Sequence, residues 1–84
     1  MNPGTVIQSV NSREDFITFL EKLRANFLEH PDEWKNSSLE DFLEAMAAWV
    51  EDMDGYYENN ELPVPVVPSW KSVAEMLIAA KIYE

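Results

Sequence analysis

The residues best suited to chemistry lie in the segment VEDMDGYYENNE, residues 50–61. Aligned with an EF-hand calcium loop, this segment has carboxylates at the third, fifth, ninth and twelfth positions, namely Asp52, Asp54, Glu58 and Glu61. The first ligand position holds Val50, which offers no oxygen, and prolines follow where the second helix of an EF-hand should begin. We therefore interpret residues 50–61 as a helix end closed by Gly55, and we keep cation binding as an alternative.

Two other groups of residues could do chemistry. His30, near Asp32 and Glu33, could join a metal site, but the sequence has no second histidine. Carboxylates four residues apart, such as Glu40 and Glu44, could act as general acid and base, yet no nucleophile beside a base and no glycine-rich phosphate loop accompany them. The absence of cysteine excludes thiolate zinc sites, disulfides and cysteine nucleophiles. We therefore expect no enzyme, no cofactor and no metal.

The net charge of −10 is concentrated in one part of the chain. Residues 29–61 contain eleven acidic residues and a single base, Lys35, whereas acids and bases balance before and after this block. Such a block repels nucleic-acid phosphates and anionic lipids and attracts basic surfaces. We expect a protein partner with a basic surface, and no binding to nucleic acid or membranes. The candidate contact residues are acids of this block and aromatic residues near helix ends: Glu40, Asp41, Glu44, Glu51, Asp52, Trp34, Trp70, Tyr56 and Tyr57. The alternative for Trp34 and Trp70 is that they close the core.

Hydrophobic periodicity predicts three helices, at about residues 13–29, 39–54 and 70–83. Each follows a serine that can cap its first turn, namely Ser12, Ser37 or Ser38, and Ser69. Pro31 predicts the end of the first helix and a short helical turn near residues 31–35. The fold class is therefore a small all-α, single-domain bundle. We expect the first two helices to pack antiparallel, with the third laid across them.

The predicted helices differ in the width of their apolar faces. The second helix has the clearest face, formed by Leu39, Phe42, Leu43, Met46, Trp49, Val50 and Met53. The third helix is apolar nearly all round, so it is either central to the fold or covered by a partner, and we expect a homodimer through it. Residues 1–11 read as a loosely ordered segment, and residues 58–68 as a proline-rich connector.

The sequence has no segment long and apolar enough to cross a membrane, because its longest unbroken apolar run covers only residues 45–50. Its N-terminus has no basic residue and no stretch typical of a signal peptide. We therefore expect a soluble, cytoplasmic protein.

Four pieces of the sequence resemble a family of small bacterial proteins known only as a domain of unknown function. They are EDFxxFL, EWxNxSLEDFLEA, AWVEDMDGYY and AAKIYE, and together they extend from Glu14 to Glu84. The resemblance implies a stand-alone bacterial domain and carries no activity or catalytic residues.

Three functional hypotheses follow. The first is a non-enzymatic acidic module that binds a basic protein, such as a toxin that it neutralises. The second is a self-associating structural or regulatory subunit, and the third is a cation-binding protein that uses residues 50–61.

Overall fold

The computed structural model describes residues 9–83 and confirms the all-α class. Over residues 9–83 it contains three α-helices, with a 3-10 turn, Pro31–Glu33, after the first of them, and no β-strand is formed. The helices are α1 (Arg13–Glu29), α2 (Leu39–Asn59) and α3 (Trp70–Ile82). The predicted small bundle of three helices with a short turn after the first is therefore correct.

Each helix begins at the serine that the sequence indicates. The Ser12 and Ser38 hydroxyls each accept a hydrogen bond from the backbone N–H three residues later, at 3.1 Å. Ser69 and Ser72 cap each other's backbone N–H groups at 3.0 and 2.7 Å, which completes a capping box. These local bonds satisfy N–H groups that have no partner within the helix, and so they fix where each helix starts.

The end of α2 lies beyond Gly55 and is closed by Glu61. The Leu62 N–H donates to the Tyr57 carbonyl at 2.8 Å, and the Glu61 N–H donates to the Glu58 carbonyl at 3.1 Å. Glu61 has a φ of 55°, the left-handed conformation that usually takes glycine. This arrangement is a Schellman motif with a glutamate at the left-handed position.

The prediction that Gly55 ends the second helix is therefore wrong. The helix continues to Asn59 instead of residue 54, and the connector begins at residue 60 instead of 58. A glycine inside a helix costs about 1 kcal/mol relative to alanine, which is less than the gain from burying a large aromatic side chain. Here the extra turn carries Tyr57, which is buried.

Helix α3 is the element against which both other helices pack. Its contact with α2 is more extensive than its contact with α1, whereas α1 and α2 make at most marginal direct contact. The expected antiparallel packing of the first two helices is therefore wrong. Because α3 is apolar nearly all round, it offers one packing face to each neighbour, and it holds the central place in the bundle.

The core between α1 and α3 consists of buried residues from three parts of the chain: Val10, Phe19, Leu23 and Ala74. Val10 is fully buried although the sequence predicted a loosely ordered segment over residues 1–11. The rest of that prediction, residues 1–8, lies outside the described residues. On the other side of α3, helix α2 contributes the buried Ala45, Trp49 and Tyr57.

The link between α1 and α2 is tied to the end of α3 by Asn36. Its side-chain amide donates to the carbonyls of Ala80 and Tyr83 at 2.9 and 2.7 Å, and its backbone N–H donates to the Lys81 carbonyl at 3.2 Å. Carbonyls at a helix end have no partner within the helix, so Asn36 stabilises the end of α3. This contact fixes where α2 begins relative to α3.

Candidate protein-binding surface

Helix α2 has two apolar flanks, and only one of them is covered. The covered flank holds Ala45 and Trp49, which are buried, and Phe42, Met46 and Met53, which are half-buried. The other flank is formed by Leu39, Leu43 and Val50, with exposed fractions of 74%, 54% and 39%. We call these three residues the α2 stripe. The sequence alone placed them in the core face, and the structure leaves them on the surface.

The three side chains of the α2 stripe share one side of the helix, and the half-buried Met46 and the exposed Ala47 lie between Leu43 and Val50. At about 100° per residue, the three side chains of the stripe fall within about 40° of one another around the helix axis. From Leu39 to Val50 the stripe spans about 16 Å, which is three helical turns. Single exposed apolar residues are normal on protein surfaces, but a contiguous row of large ones is typical of an interaction site.

A row of glutamates runs beside the stripe. Each stripe residue is followed directly in the sequence by a glutamate, namely Glu40, Glu44 and Glu51. One residue corresponds to about 100° of rotation, so these glutamates form a second row that is parallel to the stripe. We call it the acidic row, and all three of its side chains are exposed.

Further carboxylates strengthen the negative charge of α2. Asp54 and Glu58 are also exposed and lie on the acidic side at the C-terminal end of the helix. Asp41 and Asp52 are exposed too, but they lie on the opposite side of the helix from the stripe. The Asp52 carboxylate accepts a hydrogen bond from the Tyr83 hydroxyl at 2.5 Å. This bond raises the pKa of the Tyr83 phenol and ties α2 to the end of α3.

A cavity of about 170 Å³ lies at the N-terminal end of the stripe. Its walls are mainly apolar and come from α1, from α2 and from the link between them: Phe27, Trp34, Asn36, Ser37, Ser38, Leu39 and Phe42. Leu39 belongs both to this cavity and to the stripe, so the two features form one continuous surface.

Trp34, a candidate contact residue, closes the bundle beside this cavity. Its indole N–H donates to the Asn26 side chain at 2.8 Å, and its ring lies 5.1 Å from Phe27 and 5.8 Å from Phe42, centroid to centroid. The Lys81 ammonium lies 5.5 Å from the same ring. Trp34 therefore contacts residues of all three helices. It is half-buried and also lines the cavity.

The other aromatic candidates lie apart from the stripe. Trp70 is 44% exposed at the start of α3, where its ring packs on Phe16 at 5.4 Å. Tyr56 is exposed and lies 5.6 Å from the Trp49 ring. Tyr57 is only 4% exposed, so it is a core residue and offers no surface to a partner.

The Tyr57 hydroxyl faces the Glu75 carboxylate on α3. The hydroxyl donates to Oε2 of Glu75 at 3.2 Å. Burial of the phenol, and then the nearby Glu75 charge and this hydrogen bond, raise the pKa of Tyr57 to about 12. A phenol with so high a pKa stays protonated at neutral pH, and it acts here as a hydrogen-bond donor between α2 and α3.

The four weak metal candidates do not form a loop. Asp52, Asp54 and Glu58 lie within α2, and about 200° of helical rotation separates Asp52 from Asp54. Glu61 lies beyond the helix in its left-handed conformation. His30 pairs with Glu33 at 3.9 Å on the surface. Over residues 9–83, no three histidine or acidic side chains are grouped as ligands of a metal ion would be.

A larger open groove, of about 670 Å³, lies at the start of α3. It is lined by Val10, Asn11, Pro68, Ser69, Trp70, Lys71 and Val73. Lys71 is the one charged side chain among these residues, and the Ser69 hydroxyl is engaged in the helix cap. Among these described lining residues, no acidic side chain is present and the Ser69 hydroxyl is the only one on a serine or threonine.

The stripe could have been found in the sequence by the repeated pair of a large aliphatic residue and a glutamate, at residues 39–40, 43–44 and 50–51. This pattern places an apolar row beside an acidic row on one helix.

Within the described part of the chain, none of the helices has the length and apolar character needed to cross a lipid bilayer. No curated protein and no solved structure matches the sequence. A family model does match it, over residues 12–84, which includes all three helices. The resemblance to a domain of unknown function is thereby confirmed, and the chain belongs to the family of unknown function DUF7660.

Proposed function

We propose that the protein is a non-enzymatic interaction module that binds the basic surface of a protein partner through helix α2. One observation carries the proposal: all eleven acidic side chains of residues 29–61 are exposed. Exposed carboxylates attract a positively charged surface and speed its approach. A basic toxin that the module neutralises is one partner of this kind. The lack of cysteine in the sequence suits the reducing cytoplasm that we propose as its location.

The experiment compares two double variants that change the net charge equally. Glu40→Gln/Glu44→Gln removes two carboxylates from the first turns of α2, and Glu14→Gln/Glu21→Gln removes two exposed carboxylates from α1. Each protein is immobilised and exposed to a cell extract, and captured partners are identified and purified. Their affinities are then measured by calorimetry at two salt concentrations.

The proposal expects a partner of positive net charge whose affinity falls as salt rises, because salt screens exposed charges. The α2 variant should weaken binding, whereas the α1 variant should bind like the parent. A partner without a basic surface, or equal binding by both variants, contradicts the proposal.

A second candidate function is self-association, which two residues of α3 favour. Trp70 is 44% exposed and Ile82 is 54% exposed, and they lie at opposite ends of the helix. The other apolar side chains of α3 are buried or half-buried. Sedimentation of the parent and of Ile82→Glu tests this function. A dimer that the substitution dissociates supports a homodimer through α3, and a monomeric parent excludes it.

A further inference from the structure

We infer that the α2 stripe and the acidic row together bind one amphipathic helix of the partner, with apolar residues along one ridge and lysine or arginine along the next. The inference rests on the proposed function and specifies its surface and its partner. It joins two features of α2: a row of three exposed aliphatic side chains and a parallel row of three exposed glutamates.

The length of the stripe suits a helix. A partner helix of about three turns that lies along α2 covers the whole stripe of about 16 Å. Helices commonly bind in this way, with apolar residues three or four positions apart set into an apolar surface. Residues 9–83 form no strand, so they offer no sheet edge to which an extended peptide could add.

The side chains that flank the stripe determine where a bound helix needs its positive charges. The glutamates lie about 100° around α2 on one side, whereas the other side is closed by Phe42 and Trp34. A bound helix therefore needs its cations on the flank that faces Glu40, Glu44 and Glu51. Its other flank needs apolar residues, since it meets aromatic side chains.

The cavity of about 170 Å³ gives the surface an anchor point. It lies beside Leu39, where a large apolar side chain of the bound helix can enter between Phe27, Trp34 and Phe42. Interfaces usually draw most of their binding energy from a few such buried side chains. We therefore place the main apolar anchor of the partner at this end of the stripe.

A second copy of this chain is a poor fit to the same surface. Two α2 stripes placed face to face in antiparallel orientation would bring their acidic rows to the same side of the contact, and like charges would oppose it. Net charge across residues 29–61 is strongly negative, so any self-pairing through α2 carries this repulsion. A foreign helix with a basic flank meets no such opposition.

The experiment uses three dye-labelled synthetic peptides of equal length and measures binding by fluorescence anisotropy. The first peptide is an amphipathic helix of leucines with lysines on one flank. The second has the same composition in a scrambled order, so that it has no apolar ridge. The third is the amphipathic helix with glutamine in place of every lysine.

The protein variants are Leu43→Gln in the stripe, Glu40→Gln/Glu44→Gln in the acidic row, and Ile17→Gln as a control on the exposed side of α1.

The inference expects the first peptide to bind more tightly than either of the others. Leu43→Gln should weaken its binding about tenfold, and Ile17→Gln should leave it unchanged. Circular dichroism of each variant checks that α2 remains folded. Equal binding of the first two peptides, with no effect of Leu43→Gln, overturns the inference and leaves the proposed function intact.

Two other outcomes separate the alternatives. If the glutamine peptide binds as tightly as the lysine peptide, and the acidic-row variant has no effect, the proposed function fails and the requirement for a basic flank fails with it. If the protein alone forms a dimer that Leu43→Gln dissociates, a second copy covers the stripe and the inference is wrong.

Discussion

The Tyr57 hydroxyl on α2 donates a hydrogen bond to the Glu75 carboxylate on α3, with 3.2 Å between the two oxygens. It links the two helices that share the most extensive interface in the bundle. Because the phenol is buried and faces a carboxylate, its pKa rises to about 12 from the ordinary value of 10.0. The relationship makes the stability of the fold depend on pH in the alkaline range.

The free energy of unfolding should fall between about pH 10 and pH 12 because of Tyr57. A pKa that is higher in the folded state than in the unfolded state gives stability that is complete below pH 10 and lost as the pH rises through 12. The shift corresponds to about 2–3 kcal/mol at most.

Urea unfolding at several pH values measures this decline in the free energy of unfolding. The decline should be smaller in Tyr57→Phe, and Glu75→Gln should move the Tyr57 pKa part of the way back. Identical declines in the parent and in Tyr57→Phe would contradict the assignment.

Gly55→Ala should stabilise the protein by about 0.5–1 kcal/mol. Gly55 lies inside α2 without a positive φ, and an added Cβ meets no atom within 4 Å. Alanine therefore fits the helix and reduces the conformational freedom of the unfolded chain. Thermal unfolding measures the change. Ala47→Gly, at another exposed position of the same helix, is the matched control and should destabilise by about 1 kcal/mol. A loss of stability in Gly55→Ala would show that the helix is broken at this residue.

Glu61→Gly should also stabilise the protein, by about 1 kcal/mol. The left-handed conformation costs a residue with a side chain about 1–2 kcal/mol, and glycine adopts it freely, although glycine also gives the unfolded chain more freedom. Glu61→Gln separates this effect from the charge at the negative end of the helix, because glutamine removes the charge and keeps the strain. Denaturant unfolding of the three proteins gives the comparison. Equal gains for glycine and glutamine would attribute the effect to charge alone.

Trp49→Ala should destabilise the fold by about 3–5 kcal/mol, whereas Leu43→Ala should change it by no more than about 0.5 kcal/mol. Trp49 is buried on the covered flank of α2, and Leu43 is more than half exposed in the α2 stripe. Phe42 is half-buried, so Phe42→Ala should fall between the two. Chemical denaturation ranks the three variants. A large loss in Leu43→Ala would place the stripe in the core and remove the proposed surface.

Calcium should bind no more tightly than about the millimolar range. The first ligand position of the EF-hand pattern is Val50, and residues 50–59 are helical, so the carboxylates cannot converge as they do in a loop. Isothermal titration with calcium measures the affinity. A saturable micromolar transition that Glu61→Gln abolishes would refute this expectation.

The sequence by itself determined the features that depend on neighbours along the chain. Ser12, Ser38 and Ser69 fix the helix starts, because a cap needs only a hydroxyl and an N–H three residues away. The same holds for the turn at Pro31 and for the segregation of charge into residues 29–61. The all-α class followed from these signals and from the periodicity of the apolar residues.

Only the tertiary structure decided which part of each apolar face is covered. The apolar pattern of α2 places both Trp49 and Leu43 on the face expected to be buried. The position of α3 buries Trp49 and leaves Leu43 exposed in the α2 stripe. The end of α2 depended on packing as well, since Tyr57 becomes buried only if the helix passes through Gly55. Glu61 adopts the left-handed conformation at the helix end, whereas the sequence suggested that Gly55 would end the helix. Contacts between residues far apart in the chain outweighed local preference at these places, because burying large side chains changes the free energy by more than a single helix-ending residue does.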